Sequence, residues 1–182
     1  MTITVASRPA VRQTAAPRLR MKNAAAAIEF YTKAFGAREL LRFPAQGKIA
    51  HAEIEIGNAV VMLGEEAPEH GFPGPETLGG SPVAMHLYVD DADAAVDRAV
   101  SAGARLIRPV KDEFYGDRTG TVLDPFGYSW SIATVKEAMP VEEMQRRMEQ
   151  MQQAQSPLEH PLGRDGLSRK GQGSDVWTAS HT

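Results

Sequence analysis

The chain has 182 residues, 42% hydrophobic and 24% charged, with a net charge of −3 and no cysteine. That length suits one compact domain or two small half-domains sharing a core. Without cysteine there are no disulfides, thiolate zinc sites or cysteine nucleophiles. The small negative charge supplies no field for nucleic acid or an anionic membrane. No apolar run reaches the ~20 residues of a membrane-spanning helix.

Residues 1–16 read as a flexible, acid-free arm carrying Arg8 and Arg12. They lack the continuous apolar stretch of a secretion signal, so the cytoplasm is the expected location. Residues 17–135 carry all the clear strand and helix patterning. A short strand at Leu19 runs into a helix capped by Asn23 and ended by Gly36-Ala-Arg. Asn caps a helix N-terminus, and Gly takes the left-handed conformation after its C-terminus. Ile49 to Ile56 alternates, with Ala50, Ala52, Ile54 and Ile56 on one face and His51, Glu53 and Glu55 on the other. Gly57-Asn58 is a hairpin turn, and Ala59 to Leu63 an apolar strand. Residues 65–81, with repeated Pro and Gly, read as a long loop forming a lid.

The pattern then restarts. Leu87-Tyr-Val89 leads to a helix capped by Asp90 or Asp91, which ends at Gly103-Ala-Arg. Capping and first-turn dipole placement account for Asp90, Asp91 and Asp93 better than a calcium site does. Phe114 to Arg118 reads as an irregular loop, followed by strands Thr119 to Leu123 and Tyr128 to Thr134 around the turn Asp124-Pro-Phe-Gly127. Each copy is β-α-β-β-β, and two copies imply pseudo-twofold architecture. The modules run over about 17–64 and 82–135. Residues 136–155 hold a helix striped with Val141, Met144, Met148 and Met151, and 156–182 read as a disordered tail.

Three segments carry a family resemblance. Asn23-Ala-Ala-Ala-Ala-Ile-Glu-Phe-Tyr-Thr-Lys-Ala-Phe-Gly-Ala, Val89-Asp-Asp-Ala-Asp-Ala-Ala-Val and Asp124-Pro-Phe-Gly-Tyr-Ser-Trp resemble the vicinal oxygen chelate superfamily of glyoxalase, bleomycin-resistance and extradiol dioxygenase proteins. Phe114-Tyr-Gly-Asp-Arg-Thr-Gly120 resembles its PhnB-like branch. The resemblance implies an α+β fold in which two βαβββ modules form a cup-shaped mixed sheet, usually in a homodimer. It also implies a divalent metal held from the first and last strand of each module. The matching positions here are Ala16, Val61 or Met62, Ala84 and Ser131, none a normal metal ligand. Glyoxalase I activity is therefore not expected, and no cofactor is expected.

Strand parity puts Arg20, His86 and Tyr88 on the same face as Ala16 and Ala84, and turns His51 and Glu53 toward the cup or solvent. His51 and His86 are the leading candidates, because imidazole is poised near pH 7. Each is equally readable as a half-buried histidine bonded to a neighbouring strand. Two histidines and Glu53 make a nonstandard metal site only if they converge. Arg118 either clamps an anionic substrate group or bridges to Asp117, Asp124 or Glu113. Tyr115 and Trp130 either line a pocket or pack in the core.

The resemblance and the missing ligands together imply a protein that binds a small organic molecule in its cup without the usual metal. The alternative is a lyase, isomerase or dioxygenase acting on a small oxygenated metabolite, with or without metal. The Met stripe offers a docking face for a partner subunit. No nucleic-acid or membrane partner is expected.

Overall fold

A computed structural model describes residues 15–155. The expected arm up to residue 14 and the tail 156–182 lie outside the described residues. β1 (Arg18–Met21), α1 (Ala24–Phe35), β2 (Arg38–Ala45), β3 (Lys48–Ile56) and β4 (Ala59–Glu65) make the first module. β5 (Ala84–Tyr88), α3 (Ala92–Ser101), β6 (Arg105–Asp112), β7 (Asp117–Leu123) and β8 (Ser129–Val135) repeat it. A 3-10 turn (Pro68–His70) and the short helix α2 (Pro75–Leu78) lie between the modules, and α4 (Val141–Gln155) follows them.

The helix boundaries follow the local signals. Asn23 accepts a hydrogen bond from Ala26 N, and Asp91 accepts one from Ala94 N. These bonds satisfy amide donors that the first helical turn leaves open. Gly36 (φ 68) and Gly103 (φ 116) turn the chain out of α1 and α3. Arg118 belongs to β7 and not to an irregular loop. The strict alternation expected along β3 fails at its start. The β2–β3 register shifts between Phe43 and Pro44, so Ile49 is buried and Ala50 exposed. Beyond that irregularity Ala52, Ile54 and Ile56 share the buried face as expected.

The strands form two four-stranded mixed sheets, one from each βαβββ module, ordered β1-β4-β3-β2 and β5-β8-β7-β6. β1–β4 and β5–β8 are parallel, and the other pairs antiparallel. α1 and α3 each cover one face of their own sheet, and the two pack on each other. Leu19, Met21, Ile54, Val61 and Leu63 line the covered face of the first sheet, and Val122, Trp130 and Ile132 that of the second. Ala24, Ala27 and Ala34 of α1 and Ala92, Ala95 and Ala99 of α3 are buried. Their small side chains let helix and sheet approach closely. Among the described residues no helix covers the other face of either sheet, so these faces lie on the two sides away from the α1–α3 layer.

One carboxylate joins the modules. Asp124, in the β7–β8 turn, is 3% exposed. Its Oδ2 accepts from Tyr31 Oη of α1 at 2.7 Å and from Trp130 Nε1 at 2.9 Å. Its Oδ1 accepts from the backbone N–H groups of Phe126 and Tyr128, both at 2.9 Å. Burial pushes the carboxyl pKa up, and the four donors oppose that shift. Around it the rings of Tyr31 and Phe35 lie 5.4 and 4.6 Å from that of Trp130.

A second tie runs through Tyr128. Its hydroxyl accepts from Arg20 N at 3.0 Å and donates to Arg20 O at 2.8 Å. A phenol from the second module thus satisfies the outer edge of β1. Residues 65–81 form an anchored strap and not an open lid. Glu66 accepts from Gly74 N at 2.7 Å and from Thr77 Oγ1 at 2.8 Å, and Pro75 is buried against Gly127.

Asp124→Asn places an amide where four donors converge, so it should lower unfolding stability by about 2–4 kcal/mol in urea titration followed by Trp fluorescence. An unchanged midpoint would remove Asp124 as the link between modules. Tyr128→Phe leaves two backbone groups of Arg20 unpaired and should cost about 1–2 kcal/mol in the same measurement.

Candidate functional site

The uncovered face of the first sheet is built by strand parity and register. Leu19 and Met21 point to the helices, so Arg18 and Arg20 point outward. Arg18 is level with Met62 of β4, and Arg20 with Gly64. Glu53 of β3 is level with Met62 on its other side, and the β3–β4 pairing ends at Ala52 and Leu63. Phe43 of β2 is level with His51. One transverse row therefore reads Arg18, Met62, Glu53, Leu41; next to it Arg20 is level with Gly64, and Phe43 with His51.

Polar groups interact within these rows. His51 Nε2 lies 3.3 Å from Glu53 Oε1, with the Glu53 side chain 3% exposed and that of His51 21% exposed. The Phe43 ring is nearly parallel to the His51 ring, 17° apart with centroids at 6.1 Å, and is itself exposed. The Arg20 guanidinium crosses the Gly64 position, where an added Cβ would lie 2.6 Å from Arg20 Nη1. Nη1 donates to Glu65 O at 3.0 Å and Ala50 O at 3.5 Å, and Phe72 from the strap stacks on the guanidinium at 5.1 Å. Desolvation, followed by the charge of Arg18, lowers the Arg20 pKa from its ordinary value.

The uncovered face of the second sheet is smoother. Ala84, His86 and Tyr88 of β5 point outward, and His86 is level with Ser131. The His86 and Tyr88 rings are 4.6 Å apart, and Tyr88 is 63% exposed. Val135 adds another exposed apolar side chain.

The other candidates lie elsewhere. Trp130 is in the core on the helix side of β8. Tyr115 packs edge-to-face on Phe114 in the β6–β7 connection. Arg118 faces α3 and holds Asp93 by two bonds of 2.6 and 2.8 Å and Asp112 by one of 3.0 Å. Asp117, Asp124 and Glu113 are not its partners. The two carboxylates raise the Arg118 pKa, and the fork ties α3 to β6. The fold thus gathers Arg20, His51 and Glu53 on one outward face, and His86 and Tyr88 on the other.

Sequence reasoning missed Phe43, Gly64 and Phe72. The first two emerge only from cross-strand register. Phe72 was hidden in a segment without periodicity. A groove of about 280 Å³ between β1 and the strap is lined by Arg18, Leu78, Val83 and Tyr128 among others, and holds no histidine.

The residues at the family's metal positions do not fit a divalent ion. Ala16 precedes β1, Met62 faces Glu53 and Arg18, and Ala84 is level with Ser129. Ser131 faces a single imidazole, His86. Among the described residues no three His, Cys, Asp or Glu side chains cluster as a metal site would require.

Comparison with known proteins places these features. An uncharacterized protein of Mycobacterium tuberculosis (strain ATCC 25618 / H37Rv) is 41% identical over 142 residues, spanning 76% of this chain and 84% of its own length. The solved structure of an Arabidopsis thaliana gene product matches with a TM-score of 0.57 at 29% identity, over 68% of this chain and 99% of that one. The crystal structure of TioX from Micromonospora sp. ML1 matches with a TM-score of 0.52 at 28% identity, over 66% of this chain and 98% of that one. The profile of the Glyoxalase/Bleomycin resistance protein/Dioxygenase superfamily matches residues 12–132. With paired βαβββ modules and that match over most of its length, the chain belongs to the Glyoxalase/Bleomycin resistance protein/Dioxygenase superfamily.

Proposed function

We propose that this protein binds a small organic molecule between the outward face of its first sheet and the outward face of the second sheet from another copy, without the divalent metal typical of its superfamily. The observation that carries this is the pair of sheet faces that no helix among the described residues covers, each bearing aromatic and protic side chains. His51, Glu53 and Phe43 stand on one, and His86 and Tyr88 on the other. Within a chain these faces point apart, so His51 and His86 come together only across two molecules. A C2 dimer does this twice with the same surfaces. Flat aromatic surface with a few placed polar groups suits a small, partly unsaturated ligand. Ala, Met and Ser at the superfamily's chelating positions support metal-free binding.

A second function rests on the His51–Glu53 contact. A buried carboxylate within 3.3 Å of an imidazole nitrogen can orient the ring. Such a pair can move a proton on a bound oxygenated metabolite, so a lyase or isomerase is the alternative. No helix among the described residues is long and apolar enough to cross a membrane.

Sedimentation of the full chain should give a dimer. A thermal-shift screen of flat aromatic compounds should yield a ligand whose affinity falls about tenfold in His51→Ala and in His86→Ala, or ~1.4 kcal/mol. Mixing and re-equilibrating the two variants should restore about a quarter of the sites, because heterodimers carry one intact site each. No recovery would place both histidines in one chain's site. Elemental analysis should find substoichiometric metal. Stoichiometric zinc, nickel, manganese or iron that is lost in His51→Ala or His86→Ala would overturn the metal-free assignment.

A further inference from the structure

We infer that α4 is a self-pairing helix, whose stripe of Val141, Met144, Met148 and Met151 meets the same stripe of a second copy in an antiparallel two-helix contact. This contact lies outside the proposed ligand site and uses none of its side chains.

The stripe is narrow and regular. Its residues stand at i, i+3, i+7 and i+10, the alternating three- and four-residue spacing of a coiled-coil seam. A helix that packs into a globular core carries a wider apolar face. α4 is polar outside the seam, with Glu142, Arg146, Glu149 and Gln150 on its other sides. The seam is open to solvent: Val141 is 62% exposed, and Met148 and Met151 are each 40% exposed. α1 and α3 bury their apolar faces against the sheets and each other, whereas no strand or helix among the described residues packs along α4. A helix of 15 residues is marginal in water without a partner.

The chain holds this helix out in a fixed direction. Gly116 O accepts from Lys136 N at 2.9 Å and from Glu137 N at 3.0 Å, which seats the segment before α4 on the β6–β7 connection. Gly116 has φ 97, and a Cβ there would lie 2.5 Å from Glu137 O. Arg147 then reaches back to both Glu137 oxygens at 3.1 Å and to Glu143 at 2.8 Å. The partner follows from the symmetry of the seam. When two copies of α4 run antiparallel, Val141 faces Met151 and Met144 faces Met148, and the same pairs recur in reverse, so the layers close without a gap. Charge permits the pairing. The residues flanking the seam are Gln145, Gln152 and Ala154 together with Arg147, whose charge Glu137 and Glu143 already offset. The two helix dipoles also oppose each other in this arrangement. Such a contact is isologous about one twofold axis and stops at two copies.

The test uses the full-length chain, which has no cysteine of its own. Met144→Cys and Met148→Cys chains, mixed and mildly oxidised, should give disulfide-linked pairs about tenfold faster than either chain alone, because only the mixture brings two thiols within bridging distance. In sedimentation, Met148→Glu should weaken the dimer about a hundredfold, since the lost burial of each methionine counts twice about the axis. Gln150→Glu puts the same charge on the back of the helix and should leave the dimer unchanged. Linking of each variant with itself as fast as in the mixture, an unchanged dissociation constant in Met148→Glu, or equal weakening by Gln150→Glu would each overturn the inference. If Met148→Glu is monomeric yet still binds an aromatic ligand through His51, the helix contact stands and the site between copies falls. If Met148→Glu stays a dimer in which His51→Ala and His86→Ala still complement each other, the ligand site stands and the helix contact falls.

Discussion

The fold turns on a single buried carboxylate. Asp124 sits where the second module's closing turn meets the first module's helix, and four donors from three directions converge on its two oxygens. An ion so placed stabilises only because every lone pair is used. Tyr31 reaches it from α1, Trp130 from β8, and the turn supplies its own backbone N–H groups. The aromatic cluster that joins the modules packs around this contact, so losing it would loosen the angle between the two sheets as well as one turn.

That angle explains how the site is divided. With both helices in the middle, each sheet keeps one face for the core and turns the other outward. The superfamily's chelating positions lie along strands facing these outward surfaces, and here they hold Ala, Met and Ser. On the first face the polar groups include His51 with Glu53 on β3 and Arg20 beside Gly64 on β1. In the proposed function, imidazole and carboxylate groups serve where the superfamily would use a metal.

Much of the architecture was legible because periodicity and caps are local signals. Asn23 and Asp91 cap as their residue types predict, and Gly36 and Gly103 mark equivalent helix ends in the two modules. The failures were non-local. The irregularity beside Ala50 depends on how β2 pairs with β3, which alternation within β3 does not reveal. Arg118 found Asp93 on a helix and Asp112 across a hairpin, while nearer acids in sequence point elsewhere. The Pro- and Gly-rich strap looked like a lid because its composition lacks periodicity. It is anchored by Glu66 and by the packing of Pro75 on Gly127, neither predictable from composition. The row from Arg18 to Leu41 is a product of register across four strands, so no single segment encodes it.

The hydroxyl of Tyr128 has a consequence beyond joining modules. β1 is an edge strand, and edge strands recruit other chains through their unpaired backbone groups. In a parallel pair alternate residues face away from the neighbour, which here leaves Arg18 and Arg20 toward the open side. Tyr128 occupies both backbone groups of Arg20. An incoming strand would find its central rung already filled by a side chain that a regular ladder cannot accommodate. One phenol therefore acts as a stopper against runaway strand addition at β1.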